Sequence, residues 1–301
     1  MRPTGTAMWQ TSSYPGAVEG SVTEQRRVAS EIDTSRPNPA RMYDYYLGGK
    51  DNFPADRRAA QQILEIVPEV PALAEEGRLF LRRAVRYLAG EAGVRQFIDI
   101  GAGLPTQGNT HEIAKQVAPD ARVVYVDNDP VVVTHGRALL ASDSTVMVEG
   151  DLREPDAILS HPLLRGTIDF DQPVAVLLLS ILHFIRDEED PSGIVARLRD
   201  AVVPGSFLAL SHASADIWPE LAERVARVYA RSTAPLVTRS HGAIKALFAG
   251  FELVPPGLVR AGEWRPELEP PPPLDPDDPD PAALAGRTEI FSGWAGVARK
   301  P

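Results

Sequence analysis

The chain has 301 residues, 44% of them hydrophobic, a formal net charge of −10 and no cysteine. That length buries a large core, and without thiols it excludes disulfides, Cys-ligated zinc, iron–sulfur clusters and thiol catalysis. The acidic balance repels phosphate backbones, so no nucleic-acid partner is expected. The longest apolar run, VAVLLLSIL (174–182), falls far short of the ~20 residues of a membrane-spanning helix. The opening MRPTGTAMWQTSSYPG has no apolar core of signal-peptide length, so a soluble cytoplasmic protein without membrane contact is expected.

Residues 1–34 are polar and aperiodic and read as a mobile tail. Residues 35–92 read as an N-terminal helical lid or cap, with helical patterning over 55–66 and 71–89 broken by Pro68 and Pro71. Within it, RLFLRRAVRY (78–87) carries four arginines that read as a solvated helix face. Strand and helix then alternate through residues 93–301. Strands are predicted at 94–101, 121–129, 144–151, 173–184 and 206–214, and helices at 110–118, 130–141, near 155–160, 192–202, 218–232 and 240–250. Two last strands, 251–256 and 293–300, lack a convincing helix between them and suit an antiparallel hairpin at a sheet edge. The Pro- and Asp-rich stretch 266–284 between them reads as an extended or disordered excursion. The pattern predicts an α/β fold with a doubly wound, Rossmann-like sheet.

RQFIDIGAGLPTQG (95–108) ends the first strand in Asp99 and the turn Gly101-Ala102-Gly103. The glycines admit positive φ and let the backbone approach a ligand at the carboxyl edge of the sheet. A dinucleotide fingerprint would need a third glycine where Thr106 stands; Gly108 comes two residues late. Asp99 would repel a pyrophosphate and suits a cation such as an amino acid's ammonium group. Asp127, with Asn128, closes the second strand, where a carboxylate can accept both ribose hydroxyls of a nucleoside. The alternative for Asp127 is a helix N-cap, a position that Asp129 fits better.

The D-x-G-x-G pattern resembles the first signature of class I S-adenosylmethionine-dependent methyltransferases. That resemblance implies a seven-stranded fold, S-adenosyl-L-methionine as cofactor, and Asp99 on its amino group. It also implies that Gly150, Asp151 and Leu152, at the end of the third strand, meet the adenine; for Asp151 a helix cap is the other reading. NPARMYDYYLGGKDNFPAD (38–56), DIGAGLPTQGNTHEIA, VVYVDNDPVVVTHGRALL and LLLSILHFI together are similar to the actinobacterial S-adenosyl methyltransferase family first catalogued as a domain of unknown function. The match spans about 33–300 and implies no settled substrate.

After the fourth strand, Ser180, Ile181, Leu182 and His183 line the expected reaction face. His183 is the candidate general base, or else a histidine packed at the strand end; His212 either assists it or is structural. The block RMYDYYLGGKDNF reads as a lid across the carboxyl edge, hinged at Gly48-Gly49, with a structural cap as the alternative. In the lid reading Tyr43 and Tyr46 cover the sulfonium and stand behind His183 as bases, and Arg41 or Lys50 meets the cofactor carboxylate or an anionic substrate. No histidine spacing suggests a metal site. Trp264 either closes the far side of the pocket or anchors its loop. The expected reaction is in-line methyl transfer to a small-molecule acceptor. A non-catalytic protein binding S-adenosylmethionine or S-adenosylhomocysteine is the first alternative, and an NAD(P)-dependent oxidoreductase the second.

Overall fold

The computed structural model describes residues 32–105, 108–140, 142, 144–214, 216, 219–268 and 293–301. Thr106, nearly all of the expected tail and most of the 266–284 excursion lie outside these residues. Residues Thr34–Pro301 form one unit, which joins the N-terminal helices to the sheet that follows them.

Five parallel strands carry the fold: β1 (Gln96–Ile100), β2 (Arg122–Asp127), β3 (Thr145–Glu149), β4 (Ala175–Leu179) and β5 (Phe207–Ala213). They are followed by β6 (Glu252–Leu253), β7 (Val259–Arg260) and β8 (Gly293–Arg299). Seven strands lie in the order β3-β2-β1-β4-β5-β8-β6, and β7 pairs with β8 beside that row. β8 runs antiparallel to β5, β6 and β7. The expected antiparallel pairing of the last strands is present at the sheet edge, with β8 between β5 and the edge strand β6, and β7 falls between β6 and β8 in sequence. The two-residue β7 gave no periodic signal.

Side chains alternate across a strand. Ile98, Ile100, Val124, Val126, Val176, Leu178, Leu208 and Leu210 share one core. It includes residues of α6 (Pro155–Ser160), α7 (Pro162–Thr167), α8 (Pro191–Ala201) and α10 (His241–Ala246). Asp99, Tyr125 and Asp127 fall on the other parity, with Asp99 in register with Tyr125. On that side α4 (Thr110–Val117) bonds Asp99 through Thr110 and the Tyr125 hydroxyl through His111 N, and α5 (Pro130–Leu139) sets Gly136 against Met147 of β3. α1 (Pro39–Tyr46) and α3 (Val70–Arg86) precede the sheet in the chain. α2 (Pro54–Ile66) and α9 (Pro219–Tyr229) complete the set, and their residues join a second apolar cluster of Met42, Tyr46, Ala59, Ala60, Ile63, Ala74 and Tyr229.

Two local features depart from the sequence pattern. α1 is a helix because Asn38 caps it, its side chain accepting from Ala40 N at 2.8 Å, and Pro39 presets its first turn. Its polar surface had concealed it. The expected long strand 173–184 stops at Leu179, because Ser180 takes φ 54° and a single tight turn, Leu182–Phe184, follows. No helix among the described residues is long and apolar enough to cross a membrane.

Candidate functional site

The glycine loop leaves β1 with Gly101 at φ 74° and Gly103 at φ 67°, conformations that exact a steric cost from residues with a Cβ. The two glycines have different surroundings. A Cβ built on Gly103 meets nothing within 4 Å, so that position opens onto free space. A Cβ on Gly101 would lie 2.5 Å from Ile181 Cγ1. The close neighbour at Gly101 is thus the chain's own post-β4 residue.

Two buried acids flank this loop. Asp99 Oδ2 accepts from Thr110 Oγ1 at 2.6 Å. Burial pushes the Asp99 carboxyl up to about 6, against the opposing pull of the Thr110 hydroxyl and the Arg78 guanidinium. Asp127 Oδ2 accepts from Gly103 N at 2.9 Å and its Oδ1 from Asp129 N at 2.9 Å. Burial raises Asp127 to about 6 as well, opposed by those backbone N–H groups. Asp129 is the N-cap of α5, accepting from Val131 N at 2.7 Å. Asp127 is therefore not the cap, but it is already engaged, because it ties the glycine loop to the end of β2. A carboxylate has about four acceptor positions, so it can hold the loop and still accept from a diol.

At the end of β3, Asp151 does not cap a helix. Its carboxylate chelates Arg153 Nη1 at 3.0 and 2.9 Å and accepts from Asn128 Nδ2 at 3.1 Å. Arg153 also donates to Glu189 Oε1 at 2.8 Å. Gly150 is hemmed in by Ile158 and Val126, and Leu152 is buried in the main core.

Beyond β4, Ser180 N donates to Ser211 Oγ at 2.9 Å, which fixes its left-handed backbone. His183 is buried, and its Nδ1 accepts from Ala213 N at 3.2 Å. Burial, with His212 and Arg239 nearby, holds the ring well below the usual imidazole range. A neutral ring that accepts at Nδ1 carries its proton on Nε2. This geometry corrects the general-base expectation for His183, because Nε2 can donate but has no lone pair for a substrate proton. In a sample with histidine labelled in nitrogen-15, His183 is expected to show the Nε2–H tautomer unchanged from pH 5 to 8. A titration midpoint inside that window would restore it as a base.

His212 is structural. Its Nδ1 donates to Ala213 O at 2.7 Å and its Nε2 accepts from Arg239 Nη1 at 2.9 Å, and burial lowers it to about 4. Arg239 also donates to Leu182 O at 3.0 Å and Ile185 O at 2.8 Å, so it pins the backbone around His183.

The RMYDYYLGGKDNF block satisfies most of its own polar groups. Asp44 Oδ2 accepts from Asp51 N at 3.0 Å and Asn52 Nδ2 at 2.8 Å, closing the Gly48-Gly49 turn. Tyr43 donates its hydroxyl to Ala74 O at 2.8 Å, and burial pushes it up to about 12. Tyr46 is buried in the helical cluster, where burial raises its ionisation above the usual phenol range. Neither tyrosine is a ready base. Arg41, 2% exposed, places Nε 3.6 Å from both Asp56 and Asp129. The expectation that Arg41 meets an anionic ligand is therefore corrected: it bridges two carboxylates of its own chain. Lys50 is exposed at the turn. These bonds fit the structural-cap reading of the block.

The arginines of α3 are not a solvated face. Arg83 is 2% exposed and donates to Glu76 Oε1 and Ala261 O, each at 2.7 Å. Arg86 donates to Leu268 O at 3.1 Å. Arg78 donates to Gly108 O at 2.8 Å, and Arg82 Nη2 lies 3.7 Å from a Cβ built on Gly108. Four-residue spacing puts Arg78 and Arg82 on one helix face. Nothing in a lone helical pattern distinguishes that face from a wet one. Trp264 is wholly buried edge-on to Phe80 and Tyr87, so it anchors its loop.

Residues 25–301 match the family model described as S-adenosyl methyltransferase. A crystal structure of a DUF574 family protein from Streptomyces avermitilis superposes with a TM-score of 0.82 at 44% identity, covering 90% of this chain and all (100%) of that one. A protein from Thermobifida fusca, provisionally ascribed methyltransferase activity, superposes with a TM-score of 0.78 at 44% identity, covering 89% and 96% of the two chains. No curated protein matches. The chain belongs to the S-adenosyl methyltransferase family and carries the class I methyltransferase fold.

Proposed function

We propose that this chain is an S-adenosyl-L-methionine-dependent methyltransferase acting on a small-molecule acceptor. The observation that carries this reading is the pairing of Asp99 and Asp127 on either side of a glycine loop whose Gly103 opens onto free space. One carboxylate suits the ammonium of an amino acid and the other a ribose diol. Between them Gly103 presents backbone with no side chain and open space before it, as close approach of a nucleoside requires. Family membership supports the same cofactor. When bound, S-adenosylmethionine supplies an activated methyl group on a sulfonium that is already a good leaving group. The residues of the chain have to bind, align and exclude water.

In this reading His183, through Nε2–H, orients an acceptor oxygen or nitrogen and abstracts nothing. The acceptor atom then presents its lone pair at neutral pH without help from an imidazole base.

The deciding experiment is calorimetric titration with S-adenosylmethionine, S-adenosylhomocysteine and NAD in parallel, at pH 5 and pH 7.5. Both adenosyl ligands are expected to bind, and NAD is not. Affinity is expected to be higher at pH 7.5, because the ionised form of Asp99 holds an ammonium and that form is lost as pH falls through about 6. Binding of NAD alone would sink the assignment. Tight binding with no product from any acceptor class would favour a non-catalytic binding protein.

A further inference from the structure

We propose that Arg78 of α3 holds the carboxylate of the cofactor's amino-acid portion, opposite Asp99 on its ammonium, so that the two residues together read a zwitterion. The inference rests on the cofactor assignment above and names a binding residue for that site.

The ammonium and carboxylate of an α-amino acid sit on one carbon, so the groups that bind them must be neighbours. The structure places a cation and an acid at one short stretch of loop. Arg78 Nη2 donates to Gly108 O at 2.8 Å, and two residues on, Thr110 Oγ1 donates to Asp99 Oδ2 at 2.6 Å. Arg82 stands beside the same glycine. The Arg78 charge reaches the Asp99 carboxyl and opposes the upward push of burial on it. Two cations of the N-terminal block are placed elsewhere, Arg41 between Asp56 and Asp129 and Lys50 at the exposed turn.

α3 is seated firmly against α1. Tyr43 donates to Ala74 O at 2.8 Å, and a Cβ built on Gly77 would lie 3.1 Å from the Tyr43 hydroxyl. The small residue at 77 lets α1 approach α3 one position before Arg78. A guanidinium presents a planar fork that matches a carboxylate in two bonds, which a lysine ammonium cannot reproduce.

The test compares two ligands on the full chain. S-adenosylhomocysteine carries both charges of the amino acid; decarboxylated S-adenosylmethionine keeps the ammonium and lacks the carboxylate. Arg78→Met is expected to weaken S-adenosylhomocysteine by about 10–100-fold while leaving the decarboxylated ligand within about threefold. Asp99→Asn is expected to weaken both. Arg78→Lys should lose less than Arg78→Met for the first ligand and nothing for the second, which keeps the comparison usable if Arg78→Met does not fold. Equal losses for the two ligands would show that Arg78 only supports the loop, and an unchanged affinity for S-adenosylhomocysteine would remove it from the site; either result overturns the proposal. A wild-type chain that binds neither ligand would instead overturn the cofactor assignment, and this inference with it.

Discussion

Arg41→Met is expected to destabilise the chain by about 3–5 kcal/mol, measured as a lower urea midpoint at unchanged slope. The argument is one of uncompensated charge. Arg41 is 2% exposed, and Asp56 and Asp129 on either side of it are 0% and 5% exposed. Asp56 accepts from Asn38 N and Phe53 N, each at 2.8 Å, so it organises the turn into α2 and cannot move to water without unmaking that turn. Asp129 caps α5 and is equally fixed. Methionine fills the volume of the arginine stem but leaves two carboxylates inside the protein without their cation. A loss below about 1 kcal/mol would show that the pairs, at 3.6 Å, contribute like surface pairs.

Gly101→Val is expected to abolish cofactor binding and also to destabilise the fold by about 3–5 kcal/mol, adding backbone strain to overpacking. Read from the sequence, this substitution strikes only the ligand. The structure adds a second cost: φ at Gly101 is 74°, and the new Cβ would collide with Ile181, 2.5 Å away. Ile181 precedes the turn that positions His183, so relief of the collision moves the loop beyond β4. The contrasting variant is Gly103→Ala. Its φ of 67° imposes only the backbone cost, and its methyl enters open space. Thermal unfolding with calorimetric binding separates the two: Gly103→Ala should lose binding with about 1–2 kcal/mol of stability, and Gly101→Val should lose both heavily. Equal stabilities would sink the assignment of Gly101 to internal packing.

The five parallel strands were legible because each is a short apolar run ending at a turn signal, and most proline-led helices because the proline opened a periodic stretch. Those led by Pro39 and Pro162 were missed, the second because six residues are too few to show a helical period. Asp99, the glycines and Asp127 were legible because local spacing alone puts them at strand ends. Arg78, Arg153 and Arg239 were not. Each works through a partner far away in sequence: Arg78 at Gly108, Arg153 at Glu189, Arg239 at His212 and Asp187. No spacing rule carries such a pairing. Arg41 was picked out as functional for the right reason, since a polar residue in an odd block has a specific partner, yet that partner lay within the chain. His183 shows the remaining gap. Its position follows from the sequence, but the nitrogen that holds the proton follows only from Ala213 N, across the neighbouring strand.

The place of β8 has a consequence for synthesis. Trp294 Nε1 donates to Ser214 Oγ across 80 residues of chain, and the whole of β5 is laddered to β8. On the ribosome, the nascent chain therefore completes β5 long before the strand that covers its outer edge exists. Until then Phe207–Ala213 presents unpaired backbone to any other nascent strand, a template for association between chains. The sheet closes only after translation has passed the Pro- and Asp-rich stretch, whose acidic, proline-laden composition is ill suited to joining that edge in place of β8.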